Sequence, residues 1–460
     1  MAHARAQAVD PVNALPALWL QRLAGHQFSN NTDWLAQARQ NAVAEMAAAG
    51  RLPGRKDEHW KYFSLQSLEN TPPELSFSQA ENWPATASLF ADAGGIVLPV
   101  HIGAELQLPR NVLDSMPKGL RLLKLPQALA DPQLANQLQQ LVEEPDLKGP
   151  GRIFEALNTA CLDTALIIHV AAGVDVGRLH IEWLQSAENQ LDNFRLFVLL
   201  EKGAALQLIE TFPGQDLVQG NGSGQPGSVF NLLTQCELSE AARMDHLRVQ
   251  AASAQQHLLL FVKISQANVS QYRYTGFELG GGLVRNDLDC QLNGMGASAD
   301  LAAAFIGNGE SCIDHHILVD HRAKGCRSEQ NFRGVLGDRS RGVFNGKALI
   351  RPGADGSSVR QSNANLLLSD LAEMNTKPEL EIYADEVEAS HGATVGQLDD
   401  LALFYLQSRG LDESAARRML TGAFCRAIGN RLSDRKLVEQ IEAMLDAAMP
   451  GVEYSAEERP

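Results

Sequence analysis

Apolar positions change their spacing twice along this chain. Between Trp34 and Met46, the residues Trp34, Leu35, Ala38, Ala42, Val43 and Met46 recur at helical intervals. Thr32 or Asp33 is placed to cap this helix, and Gly50 and Pro53 end it. Ala91 to Leu125 holds short strand-like runs such as Ile96-Val97-Leu98. Pro126 to Leu141 returns to helical spacing through Leu129, Leu134, Leu138 and Leu141. The polar stretch Glu143 to Gly151 carries two turn residues and marks a boundary. Residues 1–150 therefore read as a mainly helical N-terminal region.

From Cys161 to about Asp385 the helical spacing disappears. Short apolar runs take its place: Ala165 to Val170, Leu179 to Leu184, Phe194 to Leu200, Ala205 to Thr211 and Leu258 to Ile264, then Leu288 to Leu292, Leu301 to Ile306, Ile313 to Val319 and Ala348 to Ile350. Turn residues punctuate them, including Gly173, Gly203, Asn293-Gly294, Gly307-Asn308-Gly309 and Asn345-Gly346. This is the spacing of an all-β body. A sandwich and a stacked parallel β-solenoid both produce it. The length of the strand series and its long glycine-rich links tilt the reading toward the solenoid, although no strict repeat is visible. Residues 151–385 are assigned to this core.

The last part, 386–460, is helical again. Leu401, Phe404 and Leu406 lie on one segment that Gly410 stops. Asp412 or Ser414 starts a second helix through Met419, Leu420 and Ala423. Ser433 or Asp434 caps a third, with Leu437, Ile441 and Leu445 on one face. A solenoid needs its open ends covered, so this module is expected either to cap the β body or to dock a partner.

Composition narrows the function classes. The chain has 460 residues, 45% hydrophobic and 20% charged, as in globular proteins. Its net charge of −16 disfavours nucleic acid and anionic membrane as partners. No apolar run reaches the roughly 18 residues that cross a bilayer, and Met1 to Asp10 lacks the basic-then-apolar pattern of a secretory leader. The cytoplasm is the default address. Cys161, Cys236, Cys290, Cys312, Cys326 and Cys425 are scattered and form no close pair, so they read as buried thiols rather than as a metal site.

Two segments carry candidate chemistry. On a strand, Asp314, His316 and Asp320 share one face and His315 takes the other, so the first three could converge on a metal or act as a hydrolase or lyase set. No H-E-x-x-H pattern supports them, and polar face residues on a solvated or interface strand are the favoured reading. The second segment is Ser390-His391-Gly392-Ala393-Thr394-Val395-Gly396. A histidine among glycines reads as a tight, accessible turn, and its near-neutral titration suits proton or metal chemistry. No P-loop, G-x-S-x-G or dinucleotide fingerprint is present, and Gly280-Gly281-Gly282 reads as a turn.

An ordered series of segments carries a resemblance. It comprises Asp57-Glu58-His59-Trp60-Lys61-Tyr62, Phe154 to Ala160, His321 with Ser328, Val343-Phe344-Asn345-Gly346, Gln361 and Asn365 to Ser369. Lys377 to Asp385, His391 to Gly396, Leu403 to Leu406 and Ser408-Arg409-Gly410 complete it. Together they resemble the SufB/SufD family of iron–sulfur cluster assembly proteins, and the glycine directly after His391 favours the SufD branch.

The resemblance implies a right-handed parallel β-helix flanked by N-terminal and C-terminal helical regions. It implies a non-catalytic scaffold that pairs with SufB and docks the SufC ATPase through 386–460. Leu401, Phe404, Tyr405, Arg409 and Met419 are the docking candidates, and His391 is the cluster-assembly residue and candidate metal ligand at the interface with SufB. It implies no firmly bound cofactor, a transient iron–sulfur cluster at that interface, and reduced flavin in the complex, although this chain carries no flavin motif. The isolated chain is open to homodimer formation. Family members often carry a cysteine two residues before this histidine, where this chain has Ala389. A thiolate is the natural soft ligand for iron, so either that cysteine is dispensable or the ligand set here differs.

Overall fold

A computed structural model of the chain describes residues 14–77, 90, 94–101, 106, 108, 110–114, 116–143, 150–184, 190–214 and 227–450. The polar run from Met1 to Asp10, residues 144–149 of the boundary stretch and parts of Ala91 to Leu125 lie outside the described residues. The body is a parallel β-solenoid of two facing sheets, which is the stacked alternative of the two that spacing leaves open.

The first sheet contains β4 (Ala165–Val170), β6 (Gln190–Leu200), β8 (Val229–Leu238), β10 (His257–Gln266), β12 (Leu283–Leu292), β14 (Cys312–His321), β16 (Arg341–Ile350) and β18 (Glu373–Ile382), in that order. The second contains β5 (Asp175–Leu184), β7 (Ala205–Phe212), β9 (Arg243–Gln250), β11 (Gln271–Glu278), β13 (Ser298–Gly307), β15 (Arg327–Leu336), β17 (Ser358–Leu367) and β19 (Glu388–Gly396). Each coil contributes one strand to each sheet, and successive coils pair in parallel without slippage over most of their length. The N-terminal region is not purely helical. Its β1 (Glu74–Leu75), β2 (Ile96–His101) and β3 (Leu120–Lys124) extend the two sheets, β3 running antiparallel to β4.

Alternation along the strands divides each sheet into an inner and an outer face. Phe194, Leu196, Phe230, Leu232, Leu258, Leu260, Ile313, Ile317 and Val319 point inward and form the main core with Leu301, Phe305 and Phe332. The outer face of the first sheet is covered by α1 (Ala14–Ala24), α2 (Asp33–Ala49) and α7 (Ile153–Ala160) through Trp19, Met46, Phe154, Leu233 and Phe261. Helix α2 begins one residue before Trp34 and ends at Gly50, which takes the left-handed conformation a C-terminal cap needs. The short helices α3 (Gln66–Asn70), α4 (Arg110–Asp114) and α5 (Leu125–Leu129), with α6 (Pro132–Glu143), complete this region.

Three helices close the chain: α8 (Asp400–Ser408), α9 (Glu413–Gly429) and α10 (Arg435–Ala448). Asp412 caps α9 and Asp434 caps α10, as their positions predict. Cys425, Ile428, Leu437, Ile441 and Leu445 pack on Leu247, Val249, Phe277, Ala304 and Val335. The module therefore covers the outer side of the second sheet rather than the end of the solenoid. Strands β18 and β19 stand at the ends of their sheets. The strand series also runs past residue 385, because β19 falls in the segment assigned to the helical region.

One set of links is built on stacked left-handed turns. Gly173, Gly203, Gly296, Gly325 and Gly356 have φ from 67° at Gly203 to 71° at Gly356. Their N–H groups donate to Lys202, Glu240, Lys324, Asp355 and Asp385 carbonyls of the next coil. Ala241, Val269 and Glu386 occupy corresponding left-handed positions without being glycine. Asn345-Gly346 is not a link: both residues lie inside β16, where the facing interior leaves Gly346 no room for a side chain.

Candidate functional site

His391 lies on β19, not in a turn. Gly392 shows no positive φ, and a side chain there would meet nothing, so the neighbouring glycine is not demanded by local geometry. What places His391 is register. Gln330 pairs with Gln361 and Gln361 with His391 across β15, β17 and β19. Alternation then sets His391 on the inner face of the last coil, which no described strand covers, directly over Gln361. Every residue of β19 is exposed.

Ala389 and Ala393 share the inner face with His391, and Ser390 faces outward. A thiol at position 389 would stand beside the imidazole; the alanine leaves His391 as the one nitrogen or sulfur ligand on that face of β19. Leu371, Ile382, Tyr383 and Val395, on or beside β18 and β19, are exposed as well. The open end thus combines an imidazole, exposed apolar side chains and strand edges that carry backbone donors and acceptors.

The second cluster does not converge. Asp314 is buried under the N-terminal region, 2.9 Å from Arg285 and 3.1 Å from His316 Nε2. Burial pushes its carboxyl up, but His316 and Arg285 outweigh that and hold it low. Asp320 lies six residues further along β14, roughly 20 Å away in an extended strand. There Arg322 donates to it at 2.7 Å and Arg351 at 2.9 Å. His315 turns inward, and burial pushes it down to about 4. Hence Asp314, His316 and Asp320 share a face as expected but form no metal site and no hydrolase or lyase constellation. Among the described residues no group of His, Cys, Asp and Glu could hold a metal ion.

None of the six cysteines is exposed. Five are buried and Cys161 is partly so. Burial pushes the Cys312 and Cys425 thiols up to about 12, far from the thiolate that binds metal.

The docking candidates are exposed. Leu401 is 78% exposed, Phe404 70%, Tyr405 56% and Met419 49%, whereas Leu403 on the opposite side of α8 is buried. Arg409 places its guanidinium 5.1 Å from the Tyr405 ring centroid. Helix α8 packs on α9, so these side chains are held on a folded surface.

Two features escape a linear reading. The element Glu58–Trp60 is clamped to the β body: Trp60 donates to the Gly151 carbonyl at 2.9 Å, and Lys377 on β18 reaches Glu58 at 3.2 Å. Gln330, Gln361 and His315 also project into the interior. The only hint of that role is the near-constant distance along the chain between Gln330, Gln361 and His391.

A family model for the SUF system FeS cluster assembly SufBD core domain matches residues 183–424, more than half of the chain. An iron–sulfur cluster assembly SufBD family protein of Synechocystis is 27% identical, over 86% of this chain and 87% of its own. The iron–sulfur cluster assembly protein SufD of Escherichia coli is 28% identical, over 87% of this chain and 90% of its own. The chloroplastic protein ABCI7 of Arabidopsis thaliana is 25% identical, over 87% and 83%.

Proposed function

The chain belongs to the SufBD family of the SUF system of iron–sulfur cluster assembly, and from that membership we propose that it serves as a non-catalytic, SufD-type scaffold. In this reading the open end of the solenoid pairs with SufB, and the exposed face of α8 with Met419 of α9 docks the SufC ATPase. The nascent cluster, as cargo, is held transiently between this chain and SufB in the cytoplasm. In isolation the same open end pairs two copies of the chain as a homodimer.

The observation that carries the reading is the state of β18 and β19. Long strands with unpaired edges are a liability that folded proteins cover or pair. Here they are uncovered by the C-terminal module and edged with exposed Ile382, Tyr383 and Val395. His391 is exposed on the same end. A neutral imidazole can ligate iron, or hold and release a proton, near neutral pH. One imidazole is an incomplete ligand set, and the low-lying thiolates that would complete it are absent from this chain. The remaining ligands must come from the partner.

The test is iron and acid-labile sulfide bound to the co-expressed complex. His391→Ala should lower both severalfold while subunit ratios and folding stay as in the wild type. An exposed substitution of this kind changes stability by no more than about 0.5 kcal/mol. Wild-type cluster content in an intact complex would reduce His391 to a surface residue.

A further inference from the structure

Inside the solenoid the buried polar side chains fall into two classes. Some are fully engaged. Glu210 accepts from Trp183 at 2.9 Å, from His246 at 2.6 Å and from Arg248 at 2.7 Å. Asn363 and Asn365 bond one another and the carbonyls of Phe332 and Thr394. Others are not engaged. Both amide atoms of Gln330, both of Gln361 and both ring nitrogens of His315 have no hydrogen-bond partner among the described residues. Yet Gln330 is only 1% exposed, Gln361 3% and His315 0%.

Two of the unengaged amides stand in one column with His391. Gln330, Gln361 and His391 hold the same inner register position on three successive strands of the second sheet. Neighbouring coils are about 4.8 Å apart, so each side chain stands next to the following one. His315 projects inward from the facing sheet, between the rings of Phe305 and Phe332. Its Nε2 is 3.5 Å from Glu278, which in turn takes a 3.4 Å contact from the Asn286 amide. A Cβ on Gly346 of the first sheet would come within 2.8 Å of Gln330 Oε1, so this amide reaches across the interior. Buried polar atoms without protein partners are costly, and native interiors satisfy them with bound water.

We propose that the inner space from Glu278 to His391 holds a file of ordered water molecules, anchored on His315, Gln330 and Gln361 and opening to solvent at the uncovered last coil.

Charge fits this occupant. Burial pushes Glu278 up to about 8 and His315 down to about 4. Both are therefore neutral at neutral pH, as are the amides of Gln330 and Gln361, and the Arg248 guanidinium that acts on Glu278 is engaged by Glu210. Such a lining suits water and disfavours a bare ion. A dry ladder of stacked glutamine amides is the competing arrangement of the same side chains. At its outer end the file hydrogen-bonds His391 and decides which ring nitrogen carries the proton. That last role rests on the reading of His391 given above; the file does not.

The test uses the full chain. A crystal structure that orders solvent should show waters within about 3 Å of the amides of Gln330 and Gln361 and of the His315 ring. Direct amide-to-amide bonding without water would overturn the proposal. Gln361→Met should remove the waters at that position and shift the 15N signals of the His391 imidazole, and Gln330→Met should remove the deeper ones. Unshifted His391 signals in Gln361→Met would overturn the connection to His391. Neither readout uses cluster loading, so an idle His391 in assembly would leave the file standing.

Discussion

Arg285 holds its guanidinium carbon 3.9 Å from the centroid of the Trp60 ring. The same group donates to the His59 carbonyl at 2.6 Å and to Asp314 at 2.9 Å. One buried cation thus binds the Glu58–Trp60 element to β12 and β14. Arginine suits the position because its planar fork can stack and donate in several directions at once. The Asp-His cluster that reads as chemistry in the sequence is, in part, the anchor of the N-terminal region.

Arg285→Met should therefore destabilise the chain by about 3 kcal/mol or more, since Asp314 loses its cation while staying buried. Arg285→Lys should rescue little of this, because a point charge cannot stack and fork. Urea unfolding followed by Trp fluorescence reads the effect. A midpoint unchanged in Arg285→Met would show that the clamp is energetically idle.

Tyr405→Asp should abolish co-purification of the SufC-type ATPase and leave the unfolding midpoint within about 0.5 kcal/mol of wild type, as for other exposed positions. The side chain is exposed on α8 and contributes no core contact. Retained co-purification after Tyr405→Asp and Phe404→Asp together would remove α8 from the interface.

Acid should weaken the fold before the carboxylates titrate. Burial pushes His180, His315 and His321 down to about 4, whereas an unfolded histidine titrates near about 6.5. Between these values the unfolded chain binds more protons, so stability falls as pH drops from about 6.5 to about 4, by up to about 1.4 kcal/mol per pH unit for each histidine. Below that range Asp314 and Asp320 add to the loss. Burial alone would raise them, but His316 with Arg285, and Arg351 with Arg322, hold them low. His321→Gln can keep the bond that His321 Nε2 makes with Ser328 at 2.8 Å, and should flatten the dependence. A slope identical to wild type would contradict the assignment of His321 as neutral.

Val269 has φ 51°, a conformation that a β-branched residue rarely adopts, and its side chain is exposed. Val269→Gly should raise stability by about 1 kcal/mol, as relief of strain exceeds the entropy cost of glycine. Val269→Ala, which keeps a Cβ in the left-handed region, should gain less. Equal denaturation midpoints for the glycine variant and the wild type would show that the stacked turn tolerates the strain without cost.

Local patterns were legible wherever a residue's role depends on its near neighbours in sequence. The helix over Asp33–Ala49, its Gly50 stop, the caps at Asp412 and Asp434 and the apolar strands β4, β10 and β13 all follow from short-range sterics, hydrogen bonding and alternation. The resemblance, carried by segments in order from Asp57 to Gly410, supplied the family. Strands such as β9, β15 and β17 were not legible, because their inner positions hold His246, Arg248, Gln330, Gln361 and Asn363. A polar residue facing a core looks like a surface residue until its partner is known, and in a solenoid that partner sits a whole coil away.

The same dependence separates Asp314 from Asp320. They share a strand face in sequence, but Arg285 claims one and Arg322 with Arg351 claims the other. It also places His391 on the inner face of the last strand of the second sheet rather than in a turn. The sequence by itself determined the family, the helical ends and the β character of the middle. Only the tertiary structure decided which polar groups meet and which end stays open. Those outcomes depend on register between distant coils, a non-local quantity that no window of the chain contains.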